Sequence, residues 1–336
     1  MAQKQREVYL DLTKLAAIYL VLLGHCLGIL NQDLTAGGTM MSIIYSFHMP
    51  LFMFVSGYFA SSVLRNSFSE MLRRKTCQLL VPAISCTVVC IIFQASIGKY
   101  NFRVEIIGNS WFLKTLLFNF IVFYLLKQLQ LPDWLLAIGS TVVIWLIPHS
   151  YSLYVSYLFP FFWGGYLWRK HKWLINQHKL TIAVSSSITF IGLTFLRFYE
   201  SIDANMLVTA QAIREAPLGV LMKYLLAFSG TIAIVEGLHV LCSHWRVGTL
   251  RKVSVLGQYT LGIYVIQTFL LVNVFLTFYH GDINNPWILN LLCAPALSIV
   301  VLMVSVLFIK LCSRQKLLDL IFFGGQYGKN LNSKNK

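Results

Sequence analysis

The sequence predicts an all-α integral membrane protein, a polytopic bundle of about ten transmembrane helices with both termini in the cytoplasm. Hydrophobic residues make up 57% of the 336 residues and charged residues only 12%, and the mean hydropathy is +0.69. The apolar residues fall in blocks of about 18 to 25, and a helix of that length crosses a bilayer core of about 30 Å. Lys and Arg are concentrated in the short segments between these blocks.

The expected spans, in chain order, are residues 10–30, 43–63, 77–97, 112–128, 133–148, 151–168, 180–198, 218–242, 253–276 and 288–312. Short cytoplasmic loops of membrane proteins carry an excess of Lys and Arg. With the N-terminus inside, twenty of these residues lie on cytoplasmic segments and six on the other side. Spans 133–148 and 151–168, joined through Pro148 and His149, are either two helices or one re-entrant hairpin, and neither choice changes the orientation.

One transmembrane domain is expected over residues 1–323, followed by a disordered cytoplasmic tail, residues 324–336, rich in Asn and Lys. The net charge of +15 is explained by membrane orientation, so no nucleic-acid partner is expected. Seven cysteines are present, but Cys86 and Cys90 lack a second pair or a nearby His that would complete a metal site. No metal is predicted.

The first span carries three ionisable residues, Asp11, Lys14 and His25. At about 100° per residue, Lys14 and His25 point in nearly the same direction on a helix, about 16 Å apart along its axis. Asp11 lies one turn before Lys14. Ionisable groups are costly in hydrocarbon, so this face must meet protein or a wet cavity, and it is a functional candidate. The structural alternative is an Asp11–Lys14 ion pair and a His that hydrogen-bonds between helices.

The second span places His48 and Pro50 near its outer end, at a depth similar to that of His25. Two histidines from adjacent helices can therefore meet. Pro50 frees a backbone carbonyl, and such interruptions at membrane depth usually border a cavity. Ser56 and Gly57 follow on the same span, and we interpret this pair as a site of close helix packing.

These motifs resemble the acyltransferase-3 family of bacterial membrane proteins, which has an N-terminal Arg-x10-His signature. The resemblance covers most of the chain, is most distinctive in the first two spans, and is closest to single-domain sugar O-acetyltransferases, including fucose O-acetylase-like members. It is carried by Lys14-x10-His25, by Phe47-His-Met-Pro-Leu-Phe-x-Phe-x-Ser-Gly-Tyr58, by Leu80-Val-Pro82, and more weakly by Ser110-Trp-Phe-Leu113 and Leu256-Gly-Gln-Tyr-Thr-Leu-Gly-Ile-Tyr264.

Three positions depart from the family pattern. Lys14 replaces the usual Arg, which keeps the charge but loses the bidentate fork. Gln78 stands where relatives often have Arg, and Gln267 stands where many have His. These changes put the details of donor binding in doubt and leave the core reaction in place.

The resemblance implies an O-acyltransferase, and specifically an O-acetyltransferase, in the bacterial cytoplasmic (inner) membrane. The donor is expected to be acetyl-CoA or another acyl-CoA, and the acceptor a hydroxyl of a cell-surface or lipid-linked glycan. Other proteins of exopolysaccharide assembly are expected partners.

Transfer from a thioester to a hydroxyl needs a base for the hydroxyl proton and hydrogen-bond donors for the developing oxyanion. Imidazole suits the first task because its ordinary pKa is near neutrality. We therefore interpret His25 as the general base, and His48 as an oxyanion donor, an acceptor-positioning group or an orienting group. A covalent acyl-His intermediate is compatible with the motif and not required by it.

CoA is polyanionic, so cations at the cytoplasmic end of the first span are candidates for its phosphates. We assign this role to Lys14 together with Asp11, Arg73, Arg74 and Lys75; for the last three, the alternative is ordinary membrane orientation. Two aromatic residues are candidates for acceptor binding, namely Trp111, which is also suited to an interfacial belt, and Tyr264. In the eighth span, Glu236 and His239 either contact the donor or form a structural pair.

Two other functional classes fit a polytopic chain. A transporter or flippase for a glycan or lipid intermediate would also use intramembrane ionisable groups, although no inverted repeat is present. A non-catalytic scaffold or sensor is disfavoured by the cost of burying His and Lys. Within enzymes, a non-sugar acceptor such as a lipid or an antibiotic stays open.

Overall fold

The computed structural model describes residues 7–32, 38–98, 110–147, 154–197, 208–244 and 247–328, and these residues form helices without any strand. The first half contains α1 (Val8–Leu30), α2 (Gly38–Tyr58), α3 (Phe68–Lys75), α4 (Val81–Ser96), α5 (Trp111–Gln128), α6 (Asp133–Leu146), α7 (Val155–Lys170), α8 (Lys172–Gln177) and α9 (Lys179–Phe195). The second half contains α10 (Ala210–Glu215), α11 (Pro217–His244), α12 (Val247–Ser254), α13 (Thr260–Gln267), α14 (Leu276–Phe278), α15 (Pro286–Ile288), α16 (Ala294–Cys312) and α17 (Lys316–Phe323).

Several helices continue through tighter or wider turns. Among the described residues, two stretches are 3-10 helical, Ala60–Arg65 and Val255–Tyr259. Three stretches in the same part of the chain are π-helical, Thr76–Leu80, Thr268–Phe275 and Leu289–Cys293. Such irregular turns inside long helices often border functional sites.

The predicted fold class is confirmed. Within the described residues, six helices are long and apolar enough to cross a membrane: Val8–Leu30, Gly38–Arg65, Phe68–Ser96, Pro217–His244, Gly248–Phe278 and Pro286–Cys312. Each of the ten expected spans overlaps a helix. Residues 133–148 and 151–168 contain two separate helices, α6 and α7, while Pro148 and His149 between them lie outside the described residues.

Helix α1 lies at the centre of the bundle, where it contacts α2, α11, α16 and the 3-10 turn before α13. Its Ala17, Ile18, Leu22 and Cys26 have no exposed surface. Apolar residues of the outer helices are exposed instead, as expected for a lipid-facing surface. The central position of α1 keeps its ionisable residues away from lipid.

Helices α2 and α7 approach each other through small residues. A Cβ atom added to Gly57 would lie 1.9 Å from the carbonyl oxygen of Phe162, and one added to Gly165 would lie 1.8 Å from that of Phe54. Any larger residue at either position would force the backbones apart. The close helix packing predicted at Gly57 is therefore confirmed.

The end of the chain differs from the predicted tail. Residues 324–328 fold back onto the bundle after α17, and Tyr327 is only 5% exposed. This part of the expected disordered segment is packed, and residues 329–336 lie outside the described residues.

Candidate active site

Helices α1 and α2, which carry His25 and His48, pack side by side. The Tyr45 ring lies 4.9 Å from the His48 ring. It also packs against Gly24, where an added Cβ atom would lie 2.5 Å from the Tyr45 ring. Tyr45 therefore fixes the distance between the two helices at the histidines.

The two histidines differ in their hydrogen bonds. His48 is buried, and its Nδ1 lies 2.8 Å from the Ile44 carbonyl oxygen. Because a carbonyl only accepts, Nδ1–H is the donor and Nε2 of the neutral ring is left as an acceptor. His25 is partly exposed and has no hydrogen-bond partner in the described part of the chain.

Lys14 lies on the same helix, nearer its start. Its ammonium is 3.3 Å from Oδ1 of the buried Asp11 and 4.4 Å from the centre of the Phe59 ring. The ion pair that the structural alternative requires is therefore present. Lys14 also lines two cavities, and its side chain is 28% exposed.

The first of these spaces, the apolar cavity, has a volume of about 140 Å³. It lies between α1, α2, α5 and α13. Apart from Lys14, its walls are mainly aliphatic and aromatic: Phe52, Val55, Ser56, Phe59, Phe112, Leu113, Leu116, Thr260, Leu261 and Tyr264. Such a space suits an extended, weakly polar chain.

The second space, the polar vestibule, has a volume of about 360 Å³. It shares Lys14, Thr260 and Leu261 with the apolar cavity, so the two spaces adjoin at these residues. Its remaining wall is formed by Gly257, Gln258, Gln326 and Tyr327. Lys14 thus stands at the junction between a polar space and an apolar one.

The three basic residues of α3 are not brought to this junction. Arg73 and Arg74 are exposed, and Arg74 pairs with Glu70 at 2.7 Å. The Lys75 ammonium lies 3.8 Å from the centre of the Phe120 ring. None of the three lines the apolar cavity or the polar vestibule.

The two predicted acceptor-binding residues occupy different places. Tyr264 lines the apolar cavity, and its ring lies 5.8 Å from that of Phe112. Trp111 begins α5 and packs edge-on against Tyr154, with ring centres 4.8 Å apart. Trp111 is not part of the walls of either cavity.

Glu236 and His239 form a buried pair with further partners. The Glu236 carboxylate accepts from Trp168 Nε1 and from His239 Nδ1, both at 2.9 Å. The His239 ring stacks on Tyr9 with centres 4.3 Å apart. These contacts match the structural reading of the pair, because they satisfy both carboxylate oxygens within the protein.

A polar network that the sequence did not indicate surrounds the start of α1. Glu7 pairs with Lys172, and the Tyr58 hydroxyl donates to Glu7 at 3.2 Å. Burial acts to raise the pKa of Glu7, but the hydrogen bonds and charge of Lys172, with Tyr58 and Tyr9, outweigh it and the pKa lies below its ordinary value. This network joins α1 to the end of α2 and to α8.

Gln267 is almost fully buried and only partly satisfied. Its Nε2 donates to the Thr268 hydroxyl at 3.1 Å, whereas its Oε1 has no partner within the described residues. No cluster of three or more potential metal ligands occurs in the part of the chain that the structure describes.

An all-helical bundle whose central helix presents Lys14 and His25 within the protein defines a polytopic membrane protein with an intramembrane polar site. The chain belongs to the acyltransferase-3 family, whose shared acyltransferase domain matches residues 7–310. It is therefore a membrane-embedded acyltransferase, as the motifs predicted.

Two relatives support this assignment. The Nodulation protein NolL of Sinorhizobium fredii (strain NBRC 101917 / NGR234) is 32% identical over 288 residues, covering 78% of this chain and 77% of the relative. The Nodulation protein NolL of Mesorhizobium japonicum (strain LMG 29417 / CECT 9101 / MAFF 303099) is 29% identical over 295 residues, with coverage of 78% and 76%. No solved structure matches the chain.

Proposed function

We propose that this chain is an O-acetyltransferase of the bacterial cytoplasmic membrane that moves the acetyl group of acetyl-CoA to a hydroxyl of a cell-surface or lipid-linked glycan. The main observation that supports the proposal is the position of Lys14 between the two cavities. It stands where the polar vestibule meets the apolar cavity, on the helix that also carries His25. The family assignment favours acyl transfer over transport.

The donor is proposed to enter from the end of the bundle where α1 begins. Its phosphates need cations and hydrogen-bond donors, which Lys14 and the polar vestibule offer. The apolar cavity suits the weakly polar pantetheine arm and its thioester. Arg73 and Arg74, which stand on the exposed face of α3, are assigned to attracting the anionic donor rather than to holding it.

The transfer is proposed to follow general base catalysis. The acceptor hydroxyl loses its proton to His25 while its oxygen attacks the thioester carbonyl carbon. The carbon–sulfur bond then breaks, and the CoA thiolate leaves and takes up the proton from His25. His48 presents Nε2 as an acceptor, so we assign it to positioning the hydroxyl rather than to donating to the oxyanion.

The test is acetyl transfer by the purified full-length protein in liposomes. We expect radiolabelled acetyl-CoA to give free CoA and an acetylated glycan acceptor, and His25→Ala protein to give neither. Cells that lack the chain should lose O-acetyl groups from their surface glycan. Protein that moves a lipid-linked glycan across the bilayer without consuming acetyl-CoA would instead support the transporter alternative.

A further inference from the structure

The C-terminal segment, residues 313–328, reaches the polar vestibule from outside the domain that the family shares. The family match ends at residue 310. Gln326 and Tyr327 nevertheless form part of the same wall as Gln258 and face the cavity that Lys14 lines. The vestibule is therefore completed by residues that the family assignment does not cover.

The segment is held in place by its own turn. Gly324 and Gly325 have positive φ angles of 65° and 71°, which reverse the chain after α17. The buried Asp319 then accepts from the backbone N–H of Tyr327 at 3.1 Å and of Gly328 at 2.8 Å. This arrangement fixes the positions of the two residues that face the vestibule.

The segment also links the π-helical stretch before α4 to the start of α13. Gln326 Nε2 donates to the carbonyl of Gln78 in the π-helical stretch before α4, at 3.1 Å. The Tyr327 hydroxyl accepts from the backbone N–H of Gly262 in the first turn of α13, at 3.1 Å. Because α13 carries Thr260 and Tyr264, the segment positions one wall of each cavity.

We propose that the C-terminal segment is part of the acyl-donor site, where Gln326 and Tyr327 contact the nucleotide end of a CoA-type donor. This inference rests on the proposed function. The amide side chains of Gln258 and Gln326 suit a nucleotide, since they offer hydrogen-bond donors and acceptors. Exposed basic residues on the flanking elements favour a polyanion at this end of the bundle: Arg251, Lys252, Arg314 and Lys316.

The test introduces one negative charge into the vestibule. Gln326→Glu adds a carboxylate beside the expected donor phosphates, and we expect the KM for acetyl-CoA to rise about tenfold with kcat little changed. The rise should shrink at high ionic strength. Gln315→Glu adds the same charge at an exposed position of the same segment that lines neither cavity, so it should raise the KM far less than Gln326→Glu does.

Gln326→Met distinguishes the effect of the added charge from that of the lost hydrogen bond, because it removes the hydrogen bond to Gln78 without adding a charge. We expect a smaller rise in KM that does not depend on salt. Two results with an active enzyme would overturn this inference and leave the proposed function in place. One is an equal KM for Gln326→Glu and Gln315→Glu. The other is an equal KM for Gln326→Glu and Gln326→Met at every salt concentration. Wild-type protein that neither binds nor uses acetyl-CoA would overturn the proposed function together with it.

Discussion

Gly257 lies directly against the backbone of Asp11, so closely that a Cβ atom added to it would stand 1.9 Å from the Asp11 carbonyl oxygen. Gly257 lines the polar vestibule, and Asp11 pairs with Lys14 at the junction of the two cavities. Through this contact, the first turns of α1 pack directly against the wall of the polar vestibule. Only glycine permits this approach.

Gly257→Ala should move α1 away from the vestibule wall, since carbon and oxygen cannot approach to 1.9 Å. We expect a loss of about 1–3 kcal/mol in unfolding free energy, as for other overpacked sites, and a higher KM for the donor. Gly248→Ala is the matched control, because Gly248 has open space around it in α12. Thermal unfolding in detergent and donor kinetics measure both effects, and equal behaviour of the two variants would contradict the argument.

Lys14→Arg should keep most of the activity, because the guanidinium preserves the charge and restores the residue usual in the family. Lys14→Ala should raise the KM for acetyl-CoA, since it removes the cation at the junction of the cavities. Steady-state kinetics at varied donor concentration separates KM from kcat.

A fall in kcat with unchanged donor affinity would show that Lys14 is not a phosphate ligand and serves mainly as the partner of Asp11. The double variant Asp11→Lys, Lys14→Asp tests that fallback. Only a purely structural ion pair would survive the exchange of charges.

Local spacing was enough to predict the arrangement on α1. Asp11 and Lys14 are three residues apart on one helix and meet as expected, and the helices that carry His25 and His48 pack side by side. The contacts of Arg73, Arg74 and Lys75 on α3 were harder to predict from the sequence. Arg74 lies four residues after Glu70 and pairs with it on the helix surface, a local contact that competes with any distant ligand.

The cavity walls are formed by segments that lie far apart in the chain. Hydrophobic periodicity predicts helices but not which of them pack together. Thr260 and Leu261 meet Lys14 only because α13 packs on α1. One local pattern in the C-terminal segment indicated an ordered turn, but the polar composition of the following residues favoured a prediction of disorder. Gly324 and Gly325 follow directly after an apolar helix, the usual pattern of a helix C-cap, although the residues beyond them are rich in Asn and Lys.

His25→Ala should abolish acetyl transfer while leaving the amount of membrane-inserted protein nearly unchanged, because the ring makes no hydrogen bond within the described residues. His48→Ala should reduce kcat by about 10²–10³, as for the loss of one transition-state hydrogen bond. Both are measured with purified protein at saturating donor. His25→Ala protein that keeps about a tenth of the activity or more is incompatible with a general base at this position.

The Glu7–Lys172 pair should make stability depend on pH at the acidic end. The pKa of Glu7 is lowered in the folded state, so its stabilisation is complete above the ordinary value of 4.5 and is lost as pH falls through the folded-state pKa. Glu7→Gln should therefore unfold more easily than the wild type at pH 7, by up to about 1 kcal/mol because both side chains are about one-third exposed. The difference should fade below about pH 4.5.

Glu70→Gln is the control for this experiment, since the Glu70–Arg74 pair is more exposed and should contribute less. Thermal unfolding in detergent between about pH 2.5 and pH 7, a range that extends well below the ordinary Glu pKa of 4.5, gives the comparison. A Glu7→Gln deficit that stays constant across this range would mean that packing, and not the charge of Glu7, joins α1 to α8.

The acceptor is predicted to bind at the extracytoplasmic half of the membrane, with the donor entering from the cytoplasm. The structure defines two ends of the bundle. Lys172 pairs with Glu7 at the start of α1, whereas Asn31 at its other end donates to Asp282 and Asn284. The distribution of Lys and Arg predicts that the start of α1 is cytoplasmic.

Cysteine labelling decides which end is outside. All seven native cysteines are free thiols and must first be replaced. In that background, cysteines at Thr39 and Asn284, both exposed at the far end from Glu7, should react with a membrane-impermeant reagent added to intact cells. A cysteine at the exposed Lys170, on the side of Lys172, should react only after the cells are opened. The reverse pattern would invert the topology, and an acceptor at the His25 end of α1 would then have to be cytoplasmic.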